Sequence, residues 1–182
     1  KAIFPDRVVI QYPSIKKTRT NTQPKDVDFV EKLLNDIKKL QNADGSKPQI
    51  TKDLEEIISK GLKVTITVDA NKGSSQTDGP FPSPPTADSQ DIIHFDPYKP
   101  TTYPDGTPRD PLAALGHELH HAVQDLNGTT PANEQAYETE ASYWENEAMR
   151  AKDPTNPNPP QRQWYLGPKG EQWPITQKPQ KP

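Results

Sequence analysis

The stretch His117-Glu118-Leu119-His120-His121 is an H-E-x-x-H motif, and it contains three of the four histidines in the 182-residue chain. In a helix, side chains four residues apart lie on one face, about one turn from each other. His117 and His121 can therefore bind one tetrahedral zinc ion, with Glu118 beside the open ligand position as a general base. The motif predicts the active-site helix of a zinc peptidase.

The residues around the motif indicate a helix with one packed side and one side in a cleft. Asp110 can cap the first turn, Pro111 suits the first helical position, and Asn127-Gly128 is a left-handed stop. Apolar residues neighbour the histidine pair at Leu112, Leu115, Leu119 and Ala122. The alternative is an exposed polar helix that carries His and Glu by coincidence, and the specificity of the motif argues against it.

A catalytic zinc ion needs a third protein ligand and one open position. No histidine follows His121, so we predict a carboxylate from the next helix, at about residues 132–150. Five glutamates there are candidates: Glu134, Glu138, Glu140, Glu145 and Glu147. If that helix runs back antiparallel, the residue level with the zinc lies about five to seven positions in. This favours Glu138 as the ligand and leaves Glu134 as the alternative.

The other polar residues near the motif have more ordinary interpretations. Glu145 shares a helix face with Glu138 and is predicted to accept the second ring N–H of a ligating histidine. His120 points away from the histidine pair and is predicted to be structural or substrate-lining. His94, on a predicted strand, is expected to be packed or at the surface, with a place at the cleft edge as the alternative. A solvated helix face is expected for the remaining glutamates, Glu140 and Glu147.

The proline-rich end of the chain contains one pattern with catalytic potential, Arg162-Gln-Trp-Tyr165. Attack of a zinc-activated water on a peptide carbonyl forms an oxyanion that needs a donor beyond the metal. A guanidinium or a Tyr hydroxyl is a suitable donor, so Arg162 and Tyr165 are candidate catalytic residues beside Glu118. The alternative is that Trp164 and Tyr165 only pin the tail to the core.

Composition excludes several classes of function. A net charge of −3 and a pI near 5.8 give no basic footprint, so nucleic acid is not an expected partner. Apolar runs are too short for a membrane span, and with no Cys the fold needs no disulfide. The chain begins at Lys1 without Met and shows no signal peptide. We therefore expect a processed product or a domain cut from a longer protein.

Hydrophobic patterning predicts three strands and two further helices. The strands are expected at 7–12, 62–68 and 91–95, and the helices at about 26–41 and 52–60. Thr51 is the predicted N-cap of the second of these helices, and Gly61 is its predicted stop.

Long irregular stretches separate these elements. Residues 14–25 and 69–90 are predicted loops, and prolines clustered in 80–111 and 153–182 predict loops and extended segments. The length favours one domain over 1–182. Its parts would be an N-terminal region (1–90), a metal-site region (91–152) and a proline-rich tail (153–182).

Together these residues resemble the NleD-like zinc effector peptidases and related toxin domains at the ends of large bacterial secreted proteins. The resemblance covers about residues 91–166. It rests, in order, on Leu115-Gly-His-Glu-Leu-His-His-Ala122, Glu138-Thr-Glu-Ala141, Glu145-Asn146 with Arg150, and Arg162-x-x-Tyr165. Clostridial neurotoxin light chains are similar, with a Glu third ligand and a downstream Arg-x-x-Tyr that stabilises the transition state. This favours catalytic roles for Arg162 and Tyr165, whereas the loose Asn146–Arg150 spacing gives Arg150 none.

The resemblance implies a zincin-like α+β fold: a small twisted mixed sheet above the motif helix, a second antiparallel helix and the proline-rich tail. An edge strand, here Asp91–Phe95, would bind an extended protein or peptide substrate by strand addition. The resemblance also implies a toxin or effector that is secreted or delivered into a target cell as part of a larger protein. A toxin aimed at competitors would need an immunity or inhibitor protein.

Two other functions fit parts of the pattern. A non-catalytic binding module could keep a zinc helix as structure, but structural zinc sites usually have four protein ligands, often Cys. This chain has no Cys and keeps Glu118 at the general-base position, which favours catalysis. A secreted housekeeping peptidase of broad specificity would share the site, and a signal peptide instead of a delivery domain would distinguish it.

Overall fold

The computed structural model describes residues 8–11, 24–68, 76–77, 85, 89–96, 102–103, 105–156 and 158–175. Most of the predicted loops at 14–25 and 69–90 lie outside these residues, as does the end of the tail. Within them the chain has an α+β fold. Its elements in order are β1 (Val8–Gln11), α1 (Pro24–Lys39), α2 (Gln49–Lys60), β2 (Lys63–Val68), β3 (Gln76–Thr77), β4 (Gln90–Phe95), α3 (Pro111–Asn127), α4 (Glu134–Lys152), β5 (Trp164–Leu166) and β6 (Gln172–Pro174). In this part of the chain, no helix combines the length and apolar character needed to cross a membrane.

Four strands form a mixed sheet in the order β1-β2-β4-β3. Strands β1, β2 and β4 are parallel, and β3 runs antiparallel to β4. The prediction that Asp91–Phe95 is an edge strand is wrong, because β4 lies between β2 and β3. Gln76 and Thr77, within a predicted loop, pair with His94 and Ile93 and cover that side.

The core lies between the sheet and the helices. Four apolar side chains of α1 are buried and pack with side chains of α2, β2, β4, α3 and the end of α4: Val30, Leu33, Leu34 and Ile37. Burial of each large aliphatic side chain contributes roughly 1.5–3 kcal/mol. Helix α3 packs tightly on α2 at Gly116, where an added Cβ would lie 2.6 Å from Cδ1 of Ile50. The motif helix is therefore fixed against the core along one side.

The start of α2 differs from the prediction. The helix begins at Gln49, and Thr51 lies inside it, fully buried, with its hydroxyl donating to the carbonyl of Ile37 at 2.7 Å. Thr51 is therefore not the N-cap. The cap comes from another helix, because Oε2 of Glu147 accepts from the backbone N–H of Gln49 at 2.7 Å. Gly61 ends α2 in the left-handed conformation at φ 74°, as predicted.

The proline-rich tail also departs from prediction, since β5 and β6 form a two-stranded antiparallel sheet within it. The chain reverses at Gly170, which has φ 81° and donates its N–H to the carbonyl of Gly167. Gly167 has no room for a side chain, because a Cβ would lie 2.5 Å from the ring of Trp173. Two prolines belong to this hairpin, since Pro168 lies in its turn and Pro174 is the last residue of β6.

Candidate metal centre and active site

The motif lies in α3, whose ends follow their sequence signals. The side chain of Asp110 accepts from the N–H of Leu112 at 2.8 Å, Pro111 takes the first helical position, and Gly128 ends the helix at φ 67°. Helix α4 packs against it in the antiparallel sense, since Asp110 pairs with Lys152 while Asp125 contacts Tyr137. This arrangement brings the middle of α4 level with the motif.

Three of the predicted ligands come together. The imidazoles of His117 and His121 and the carboxylate of Glu138 offer ligand atoms that lie within 4.8 Å of one another. Nε2 of His117 is 3.0 Å from Nε2 of His121 and 3.2 Å from Oε2 of Glu138. Glu134, the alternative ligand, is exposed in the first turn of α4 and outside this group. The triad is a possible metal-binding group.

The pKa values of the triad residues are shifted by burial and by the contacts of the three side chains with each other. Burial opposes the charge of Glu138, yet hydrogen bonds to both histidines hold its pKa well below the usual range. Burial likewise opposes protonation of His117, but hydrogen bonds to Glu138 and Glu145 raise its pKa above the ordinary value. Burial lowers the pKa of His121. Two imidazole nitrogens and a carboxylate oxygen also suit a transition-metal ion better than magnesium or calcium.

Glu145 is the centre of a buried network behind His117. Its Oε2 lies 3.1 Å from Nδ1 of His117, the contact expected for a residue that orients a ligating ring. Arg109 donates two hydrogen bonds to its carboxylate, at 2.7 and 2.8 Å, and the hydroxyl of Tyr103 donates a third at 2.9 Å. Burial alone would raise the pKa of Glu145, but the charge of Arg109 holds it well below its ordinary value. Glu145 is therefore a fixed anion.

Sequence reasoning missed Arg109 and Tyr103. Tyr103 lies in a tight turn, where its N–H donates to the carbonyl of Thr107 and Gly106 adopts φ 85°. Arg109 directly precedes the helix cap Asp110. Its position next to the start of the motif helix was the one signal in the sequence that could have identified it. Its partner, Glu145, is 36 positions later, and no local pattern links the two residues.

The tail reaches the same network through Arg162. Asn146 on α4 binds both backbone groups of this residue, donating to its carbonyl at 2.8 Å and accepting from its N–H at 2.7 Å. The guanidinium carbon lies 5.4 Å from the ring centre of Tyr103 and 5.1 Å from that of Tyr165, and one nitrogen is 3.9 Å from Glu145. Arg162 is therefore a buried cation between two aromatic rings.

Tyr165, in β5, lies beside the triad. Its pKa is raised by burial first, then by the charge of Glu138, with a hydrogen bond to Glu138 and the charge of Glu118 adding to the effect. Trp173, on the neighbouring strand β6, stacks on Tyr165 with the two ring centres 5.9 Å apart. The hairpin thus holds a phenol next to Glu138 and within electrostatic range of Glu118, which is itself buried in α3.

His120 belongs to a separate cluster. Its Nδ1 lies 2.8 Å from Oδ2 of Asp53 on α2, and its Nε2 lies 3.6 Å from Oε1 of Glu140 on α4. Burial opposes its charge, but the hydrogen bonds to these carboxylates raise its pKa to about 9. The expectation of a solvated face is therefore wrong for Glu140, and also for Glu147, which caps α2.

Two other residues considered in the sequence lie away from the metal-binding group. His94 is half-buried on β4, and Arg150 is exposed and donates to Gln161 at 3.0 Å.

The family model of peptidase family M91, described as "Effector protein", matches residues 17–167. The chain belongs to this family. The expected resemblance to the NleD-like effector peptidases is confirmed, and the match begins far upstream of residue 91. No curated protein and no solved structure matches this M91 chain.

Proposed function

We propose that this M91 chain is a zinc-dependent endopeptidase with a zincin-like fold, in which His117, His121 and Glu138 hold one zinc ion. The observation that carries the proposal is that these three side chains, two from α3 and one from α4, come together in the structure. Glu118, the candidate general base, directly follows the first of them on α3. Three protein ligands and no Cys are typical of a catalytic site with an open position.

The residues around the triad have distinct roles in this proposal. When bound, zinc supplies a Lewis acid that makes water acidic enough to attack at neutral pH. Glu118 accepts the proton of the attacking water and passes it to the leaving amine. Glu145, fixed by Arg109 and Tyr103, holds His117 in the orientation that presents Nε2 to the metal.

Tyr165 is the proposed donor to the developing oxyanion. Its phenol adjoins Glu138, and its high pKa keeps the proton available for a hydrogen bond at neutral pH. Arg162 lies against the Tyr165 ring and close to Glu145. Its positive charge would help to stabilise the oxyanion, and its contact with the ring would position the phenol.

The proposed substrate is a protein segment in extended form. Strand β4 is paired on both sides, and β3 lies at the edge of the sheet next to it. Such a segment would therefore pair with β3. Membership in a family of effector proteins supports delivery into a target cell. If the target belongs to a competitor, an immunity protein would protect the producing cell.

The test is zinc content together with cleavage of a mixed proteome, with new N-termini identified by mass spectrometry. The wild type, Glu118→Ala and Glu134→Ala would be compared, the last being a matched control on the exposed part of α4. We expect one equivalent of zinc in all three proteins and new N-termini with the wild type and Glu134→Ala only. A wild type without zinc would exclude the proposal, and zinc without cleavage in any protein would favour a binding module.

A further inference from the structure

The two histidines of the triad are held in different ways. Nδ1 of His117 contacts the carboxylate of Glu145 at 3.1 Å, a hydrogen bond that fixes the ring about its Cβ–Cγ bond. In the described part of the chain, Nδ1 of His121 is buried and makes no hydrogen bond. Ligating histidines usually have such a bond, and it sets the orientation of the ring. Another contact must therefore orient His121.

Tyr137 provides that contact. Its ring is stacked on the imidazole of His121, with ring centres 3.8 Å apart and an angle of 26° between the planes. Tyr137 immediately precedes Glu138 on α4, and consecutive helical side chains diverge by about 100°. The same turn of helix therefore supplies the third ligand and a flat surface against the second.

The phenol is itself fixed at its far end. Its hydroxyl donates to Oδ2 of Asp125 at 3.0 Å, and the hydroxyl of Thr130 donates to Oδ1 of the same carboxylate at 2.6 Å. Asp125 is one turn beyond His121 on α3 and only 3% exposed. Because His121 and Asp125 share a helix face, one aromatic ring spans both.

We propose that Tyr137 is the positioning residue of His121: its ring, tethered to Asp125, holds the imidazole at the angle needed to bind the metal. Stacking restricts the rotation of His121 as the hydrogen bond from Glu145 restricts that of His117. This inference rests on the proposed function, since it assumes that His121 binds zinc. It assigns the effect of Tyr137 to metal affinity and ligand geometry.

The experiment measures zinc affinity by competition with a chelating indicator, together with the visible absorption spectrum of the cobalt-substituted protein. The variants are Tyr137→Leu, which removes the ring, and Tyr137→Phe, which keeps the ring and removes the tether. Tyr143→Leu is the matched control, because Tyr143 is a half-buried Tyr on the same helix that packs on Trp144. Tyr137→Met replaces Tyr137→Leu if the latter does not fold.

We expect zinc affinity to fall about 10-fold or more in Tyr137→Leu, with an altered cobalt spectrum. Tyr137→Phe should retain the wild-type spectrum and lose affinity by about 3-fold at most, and Tyr143→Leu should match the wild type. Wild-type affinity and spectrum in Tyr137→Leu would overturn the inference and leave the zinc site intact. A wild type that binds no zinc would instead overturn the proposed function, and the inference with it.

Discussion

The two sides of α3 carry the same type of residue in opposite situations. On one side, Nε2 of His117 and Nε2 of His121 lie 3.0 Å apart, and both face the carboxylate of Glu138. On the other side, His120 has one ring nitrogen against Asp53 and the other near Glu140. Three adjacent, buried imidazoles thus form two sites of different character.

The difference lies in whether the partners are complementary. His120 lies between two carboxylates that raise its pKa to about 9, so one proton on this imidazole would complement both negative charges. In the triad, two ring nitrogens and one carboxylate oxygen converge, a set of ligand atoms that suits a bound transition-metal ion. Burial of a histidine therefore does not by itself indicate a metal ligand, whereas the convergence of several ligand atoms indicates a possible metal site.

The largest expected effect breaks the support of the triad. Glu145→Gln removes the anion that pairs with Arg109 and contacts His117, and it leaves a buried guanidinium without its counter-charge. Loss of one partner of a buried pair costs about 4 kcal/mol in the free energy of unfolding. Urea denaturation would measure it, with Glu134→Gln on the same helix as a control. Stability equal to that of the control would refute the network.

The opposite side of α3 should respond without affecting the metal. Asp53→Ala leaves His120 without its nearest carboxylate and should lower the free energy of unfolding by about 2–3 kcal/mol. Zinc affinity, measured by indicator competition, should stay within about twofold of the wild type, since second-site effects of 10-fold or more need contact with a ligand. A large loss of zinc affinity would show that the two sides are coupled.

Packing behind the motif sharpens the same comparison. Gly116→Ala would place a methyl group 2.6 Å from Cδ1 of Ile50, so α2 and α3 must shift or Ile50 must change rotamer. We expect a loss of about 1–2 kcal/mol by thermal unfolding. Gly170→Ala is a useful contrast, because it adds strain at φ 81° without any nearby atom. Unchanged stability in Gly116→Ala would mean that this contact is loose.

The smallest expected effect is at the cap of α2. Glu147→Gln keeps an acceptor for the N–H of Gln49 but removes the charge that favours a helix N-terminus. The expected loss is about 0.5–1 kcal/mol, and Glu147→Ala, which removes the acceptor as well, should lose more. Equal stability of wild type and Glu147→Ala by urea denaturation would exclude the cap.

Local signals account for what could be predicted. The cap at Asp110, the stop at Gly128 and the spacing of His117 and His121 depend on short-range helix geometry, which the sequence displays directly. Glu138 required one further assumption, that the next helix runs back antiparallel. The partners of these residues could not be read in the same way. Asp53 is 67 positions from His120, and such pairs depend on how helices cross rather than on any local pattern.

Three strands escaped prediction, for two different reasons. Strand β3 has two residues, too few for an alternating pattern, and its existence depends on pairing with β4. The β5–β6 hairpin lies in the proline-rich tail, where the prolines predicted loops and extended segments. For that reason the turn at Gly167 and Gly170 was not recognised as the turn of a hairpin. Arg162 and Tyr165 were found because of their motif, whereas Tyr103 and Arg109 belong to no recognisable motif.

The most direct measurement of the central claim is zinc content after dialysis in two neighbouring variants, His121→Gln and His120→Gln. Both replace a buried imidazole with an amide, and circular dichroism would establish that both are folded. We predict that His121→Gln loses its zinc while His120→Gln retains one equivalent. Equal zinc content in the two variants, whether lost or kept in both, would contradict the assignment of one side of α3 to the metal.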